Sequence, residues 1–373
     1  MTAPNTSPLV SIGTYTEAAQ NGKAEGIYRC RMDPASGALT REQTVPGVAN
    51  PSFLAFDPQR RTLFAALETG THDGTPGGGV SAFAVEPGTG ALIFLNAQPT
   101  HGTFPCHLVV DPSGKYVLSA NYGSGNVSVH PIEPDGWLGA ATDVVQNVGS
   151  GPNAARQEHA HAHMVTFDPA GKFLLVVDLG IDKILVFTLD TATGKMVPHD
   201  IGAPNGGAMQ AHAQAEPGAG PRHLAFHPNG RFVYVVNELN STMTALAYDA
   251  AGGKFQTLQS LSTLPADFTG ANSCAEIAVH PSGRFVYGSN RGHDTVAIFA
   301  IDPTTGELRA VGHEPTGGKN PRSFAIDPTG AFLLAANQGT DTVVTFRIDP
   351  DTGTLAPTGG IARIPTPVCV LFG

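Results

Sequence analysis

Apolar residues come in short alternating runs, each bounded by glycine, proline, asparagine or aspartate. Around His227 and Pro228 the chain reads "HLAF" before the turn and "RFVYVVN" after it. A side-chain period of two on either side of a tight turn predicts an antiparallel strand pair. Helical heptads are absent, so almost no α-helix is expected.

The same unit recurs. Aspartate-proline or histidine-proline pairs begin at Asp57, Asp111, Asp168, His227, His280 and Asp327, at steps of 54, 57, 59, 53 and 47 residues. Five of the six have glycine three positions on (Gly114, Gly171, Gly230, Gly283 and Gly330), which is turn chemistry with proline presetting φ and glycine supplying a positive one. A third apolar run and a short fourth follow each pair, and four strands per repeat of about 50 residues predict propeller blades. Six units carry the turn. A seventh at the N-terminus, residues 8–33, lacks its first strand, and "TPVCVLFG" at the C-terminus supplies a match. The expected fold is all-β: one seven-bladed β-propeller domain over residues 1–373, with residues 366–372 as the inner strand that closes the ring and removes exposed sheet edges.

Composition narrows the partners. The 45 glycines and 30 prolines suit many short strands. Only 14% of residues are charged and the net charge is -10, so no basic face is available for nucleic acid. No apolar run approaches the roughly 20 residues that span a bilayer. Cys30, Cys106, Cys274 and Cys369 are scattered without a C-x-x-C pair and read as free buried thiols in a cytoplasmic protein. A monomer or weak homodimer is expected.

In a propeller the first strand of each blade lines the channel and the second returns to the same mouth. Residues five before the turn and ten or eleven after it therefore meet at the top. The first slot holds Ser52, Cys106, His163, Arg222, Ala275 and Arg322; the second brings Glu68, Tyr122, Glu238 and Arg291, with asparagines that lock turns. Packing alone would call for small or apolar residues. Three arginines in one mouth instead suit an anion, because each guanidinium can fork onto carboxylate or phosphate. Glu276, one place from the first slot, is a candidate partner for an arginine, and His227 and His280 in the bottom turns read as structural.

In "EHAHAHM", His159, His161 and His163 alternate, which on a strand puts them on one face. Histidine is a common metal ligand, but H-x-H alone is a weak signal. No metal and no cofactor are expected, and His161 and His163 are read as acid–base or anion-contacting groups. The Gly/Ala-rich segment 197–220 is a candidate flap over the mouth or a disordered connector.

The stretches "GPRHLAFHPNGRFVYVVNELNS", "CAEIAVHPSGRFVYGSNRG", "HAHMVTFDPAGKFLLVVDLGIDK" and "NPRSFAIDPTGAFLLAANQ" together resemble the lactonase family of seven-bladed propellers, over essentially the whole chain. That family includes propeller-type 6-phosphogluconolactonases and the 3-carboxy-cis,cis-muconate lactonizing enzyme. The resemblance implies an enzyme hydrolysing a sugar-phosphate lactone, 6-phospho-D-glucono-1,5-lactone, to 6-phosphogluconate. The alternatives are a muconate cyclase-type lactonizing enzyme and a non-catalytic docking propeller; for docking, the aromatic set is poor, with one tryptophan, Trp137. A histidine, two arginines and a glutamate are implicated in the muconate enzyme. The matching motifs here carry His163 or His161, Arg222, Arg291 and Glu238. The expected catalytic set is Glu238, His163 and Arg222, with Arg291, Arg322, His161 and Glu68 binding a small anionic substrate.

Overall fold

The computed structural model describes residues 7–199 and 212–373. Among them, only Ala18–Gln20 and Gln338–Thr340 are helical, as single 3₁₀ turns. Seven blade sheets surround a channel, with strands in chain order from inside to outside. The fifth blade is typical: Pro221–Phe226, Phe232–Asn237, Thr242–Asp249 and Lys254–Ser262. The first blade closes the ring. Its inner strand is the C-terminal Pro367–Phe372, paired with Leu9–Thr14 so that Val10 faces Phe372 and Ile12 faces Val370. In the fourth blade the outer position is shared by Lys195–Pro198 and His212–Gln214, both paired with Lys183–Asp190. The candidate flap at 197–220 thus lies outside the described residues over 200–211, and residues 197–198 and 212–214 within it are strand.

Apolar side chains fill the spaces between neighbouring blades. Leu118 and Val129 of the third blade, for example, meet Val165 and Val176 of the fourth, all fully buried. The bottom turns are closed by their first residue. Asp168 Oδ1 accepts hydrogen bonds from the backbone N–H of Lys172 and Phe173 at 2.7 and 2.9 Å. His227 and His280 instead accept through Nδ1 from the backbone N–H of Asn229 and Ser282, two residues on, and each Nε2 lies 2.9 Å from a glycine carbonyl of the next blade, Gly283 and Gly330. Gly283 has φ +72°, and a Cβ there would sit 2.7 Å from His227 Nε2, so only glycine fits the contact.

A regular irregularity marks the top of the channel. In the fifth blade Pro221 pairs with Asn237 but His223 pairs with Val236, leaving Arg222 as an extra residue. Ser52, Cys106, His163 and Arg322 are the extra residues of the same bulge in their blades, and the sixth blade has a wider one between Cys274 and Ile277. A bulge bends the strand and re-aims side chains. Two consecutive residues, such as Arg222 and His223, can then both face the channel, which strict alternation forbids.

Candidate active site in the channel

Arg222 and Glu238 meet as their offsets predict, and both are buried there: they are 3% and 5% exposed. Glu238 is gripped by three cations. Its Oε1 accepts from Arg156 Nη2 at 2.6 Å, and its Oε2 lies 2.9 Å from Arg291 Nη2 and 3.1 Å from Arg222 Nε. Burial alone would raise the Glu238 carboxyl, but Arg291, Arg222 and Arg156 together outweigh it and bring it down to about 2. Burial, aided by Arg291 and Arg322, lowers Arg222 to about 10, so it stays charged at neutral pH. Arg222 also donates to the Ala275 carbonyl at 2.6 Å, and Arg291 to that of Cys274 at 2.8 Å.

Arg322 is held differently. Among the described residues its guanidinium makes no hydrogen bond; it lies over the Tyr15 ring at 5.3 Å and approaches Glu68 Oε1 only to 3.6 Å. Its donors remain available to a ligand. Four arginines here face Glu238, Glu68 and Glu276, so the lining is positive within an acidic protein. Such a cluster focuses anions into the mouth.

The histidines divide into two groups. His161 donates from Nδ1 to the Tyr122 carbonyl, 2.8 Å away, and stacks on the Tyr122 ring at 4.5 Å. Asp178 fixes it from behind by accepting from the His161 backbone N–H at 2.7 Å. Tyr122 in turn receives Arg156 Nη2 at 3.2 Å. His163 lies deeper, with its Nδ1 3.7 Å from Cys106 Sγ. Burial, then Arg222, His223 and Arg322, hold His163 well below the usual imidazole range. Cys106 is likewise held as a neutral thiol, its pKa pushed up by burial.

Below Arg222 lies a row of rings: Phe53 on His107 at 3.9 Å, with His223 5.2 Å from both His107 and His163. Glu276 Oε1 is 2.8 Å from His223 Nδ1, so the expected arginine partner belongs instead to a histidine.

The three alternating histidines do not share one strand face, because the strand Ala162–Phe167 begins only after His161. His159 sits outside it, half exposed, with its Nε2 3.5 Å from Glu158 Oε1; His161 Nε2 is 3.3 Å from the same oxygen. Glu158, His159 and His161 are the one group of potential metal ligands among the described residues, their ligand atoms within 4.8 Å of one another.

All seven residues singled out by sequence line this channel mouth, with His163 and Arg222 on the bulges and Glu238 and Arg291 at the ends of the returning strands. Three others were missed, Arg156, His107 and His223, and Glu276 was given the wrong partner. Arg156 lies in an irregular loop, where repeat offsets say nothing; its only signal is its place just before the histidine run. His107, His223 and Glu276 sit one residue past the first slot, where alternation pointed them away.

Residues 9–372 match the model of the family described as Lactonase, 7-bladed beta-propeller, and the chain belongs to that family. It is 38% identical to a 6-phosphogluconolactonase of Bacillus subtilis (strain 168), over 82% of this chain and 81% of the relative. A 6-phosphogluconolactonase of Serratia proteamaculans (strain 568) is 33% identical over 75% and 76%. Among solved structures, a putative 6-phosphogluconolactonase from Bacteroides fragilis NCTC 9343 superposes with TM-score 0.89 and 33% identity, covering 100% of this chain and 99% of that one. The Pseudomonas aeruginosa periplasmic gluconolactonase gives 0.88 and 32%, covering 98% of each.

Proposed function

We propose that this lactonase-family chain hydrolyses 6-phospho-D-glucono-1,5-lactone to 6-phosphogluconate at the top of the channel. The observation that carries the reading is the state of the arginines. Among the described residues Arg322 makes no hydrogen bond and only a 3.6 Å approach to Glu68, beside three further guanidinium groups, in a mouth that is positive within an acidic protein. That is a receptor for a small dianion, and relatives of 33–38% identity carry the 6-phosphogluconolactonase name.

Lactone hydrolysis needs the ring ester held, its developing oxyanion stabilised and a proton taken from water. Arg322, Arg291 and Glu68 contact the phosphorylated sugar in this reading, with His161 and Tyr122 forming one wall. Arg222, buried and charged, faces the oxyanion. Glu238 is assigned the task of holding Arg156, Arg222 and Arg291 in place; a carboxyl near 2 is a weak proton acceptor. His163 remains neutral in the site and contacts the substrate. No metal or cofactor enters the scheme.

Four buried unpaired thiols favour a cytoplasmic setting, and no helix among the described residues is long and apolar enough to cross a membrane. The proposed chain acts as a monomer or weak homodimer. The test is an assay with freshly prepared 6-phosphogluconolactone, coupled to oxidation of the product, run beside gluconolactone and 3-carboxymuconate. Preference for the phosphorylated lactone is the expected result. Cyclisation of the muconate with no lactone hydrolysis would reject it.

A further inference from the structure

We propose that His223, oriented by Glu276, is the group that takes the proton from the attacking water; the inference rests on the lactonase reading above. His223 is 3% exposed and lies beside Arg222 on the channel wall. Its Nδ1 is 2.8 Å from Glu276 Oε1. A carboxylate only accepts, so Nδ1 carries the hydrogen. On the other side, Arg222 Nη1 lies 3.4 Å from Nε2. A guanidinium only donates, so Nε2 presents its lone pair. Two independent neighbours fix the same tautomer, which is the one a base requires.

A suitable space borders the same ring, and Arg222 Nη1, at 3.4 Å, holds the lone pair only loosely. A cavity with room for about one water is bordered by Ser52, Glu68, Arg222, His223, Glu276 and Arg322. Ser52 Oγ and Glu68 Oε2 are buried there without a protein hydrogen-bond partner. Buried polar atoms are normally satisfied, so these two mark a place for a polar guest.

The other candidate bases compare poorly. His163 directs Nδ1 at a thiol, and the charged neighbours that act on it oppose an imidazolium. His107 has an unpartnered Nδ1 and a ring stacked on Phe53. Of His107, His163 and His223, only His223 has a carboxylate behind it to stabilise the imidazolium as it forms, which is the logic of a carboxylate–histidine pair; His161 meets Glu158 through Nε2 itself, at 3.3 Å, and not through the nitrogen behind it. The groups facing it are Glu276 from the sixth blade, Arg222 on its own strand, Arg322 from the seventh, His163 from the fourth and His107 from the third. Among these Glu276 alone favours the protonated form.

In the step itself, His223 Nε2 takes one proton from water while the water oxygen bonds to C1 of the lactone. The carbonyl electron pair moves onto its oxygen, which Arg222 receives. Collapse of this adduct breaks the bond from C1 to the ring oxygen. The imidazolium returns its proton to that oxygen, and the product is the open hydroxy acid.

The experiment compares His223→Gln, Glu276→Gln and His163→Gln with the parent, measuring kcat and KM from pH 5 to 9 and 6-phosphogluconate binding by calorimetry. For His223→Gln we expect kcat to fall about 10²–10⁴-fold with KM and product affinity little changed. Glu276→Gln should lower kcat and move the acid limb of the kcat profile to lower pH, because the carboxylate no longer favours the imidazolium. A merely structural role would reduce amplitude without moving the limb. Should His223→Gln keep kcat within about threefold of the parent, or the limb stay fixed in Glu276→Gln, the assignment is overturned. If His223→Gln no longer binds product, the Glu276→Gln profile decides. A parent that leaves 6-phosphogluconolactone untouched would instead overturn the function itself.

Discussion

Replacing Glu238 by glutamine separates an anchoring carboxylate from a catalytic one. The substitution keeps the shape but removes the one negative charge inside a cage of Arg156, Arg222 and Arg291. Its cost follows from the carboxyl itself. The folded pKa of about 2 lies below an unfolded value of about 4.5, so the ionised form contributes stability that is present above pH 4.5 and lost as pH falls toward 2. The gap is worth about 3 kcal/mol at 1.36 kcal/mol per unit. Breaking a buried ion pair from one side costs a similar ~3–5 kcal/mol, since the abandoned cations stay buried. Urea unfolding at neutral pH, followed by circular dichroism, should therefore show Glu238→Gln destabilised by about 3 kcal/mol. The difference from the parent should shrink as both are acidified from pH 4.5 toward 2. Activity should suffer mainly through KM, as freed arginines lose their positions. An unchanged urea midpoint together with a kcat lowered about 10²–10⁴-fold would refute this reasoning and make Glu238 the base.

Other outcomes can be checked in the same preparations. Arg322→Ala should raise KM about 10- to 100-fold with kcat little changed, because a charge-assisted contact worth roughly 1.5–3 kcal/mol is lost; an unaltered KM would place the substrate elsewhere. His130, fully buried, is lowered by burial to about 4, below its unfolded value of about 6.5. Its contribution is full above pH 6.5 and lost as pH falls to 4, so the drop in stability over that window should be shallower in His130→Gln, as measured by urea unfolding. Gly283→Ala forces a Cβ against His227 at a positive φ and should cost about 1–2 kcal/mol of stability while leaving kcat unchanged. Dialysis against a chelator should leave turnover intact; loss of activity restored by a divalent ion would point to Glu158, His159 and His161.

Much of the architecture was legible from local chemistry. Period-two alternation sets which faces are buried, and aspartate- or histidine-proline-x-glycine sets the turns, so the repeat, the count of blades and the closing strand Pro367–Phe372 could be read along the chain. The same offsets brought Arg222 to Glu238, because both are measured from one turn. What they could not contain is distance across the ring. Arg156 reaches Glu238 from 82 residues away, out of a loop with no period to read. His107, His223 and Glu276 needed the bulge, which lets a residue point inward where alternation sends it outward, and a bulge is a feature of the pairing between strands. The pairing of Glu276 with His223 joins two blades, and only the closed ring sets them 2.8 Å apart. Burial decided the last difference: Arg222 and Glu238, which sequence placed at the channel mouth, lie almost wholly shielded from solvent, and there the three arginines around Glu238 outweigh burial and hold its carboxyl down to about 2.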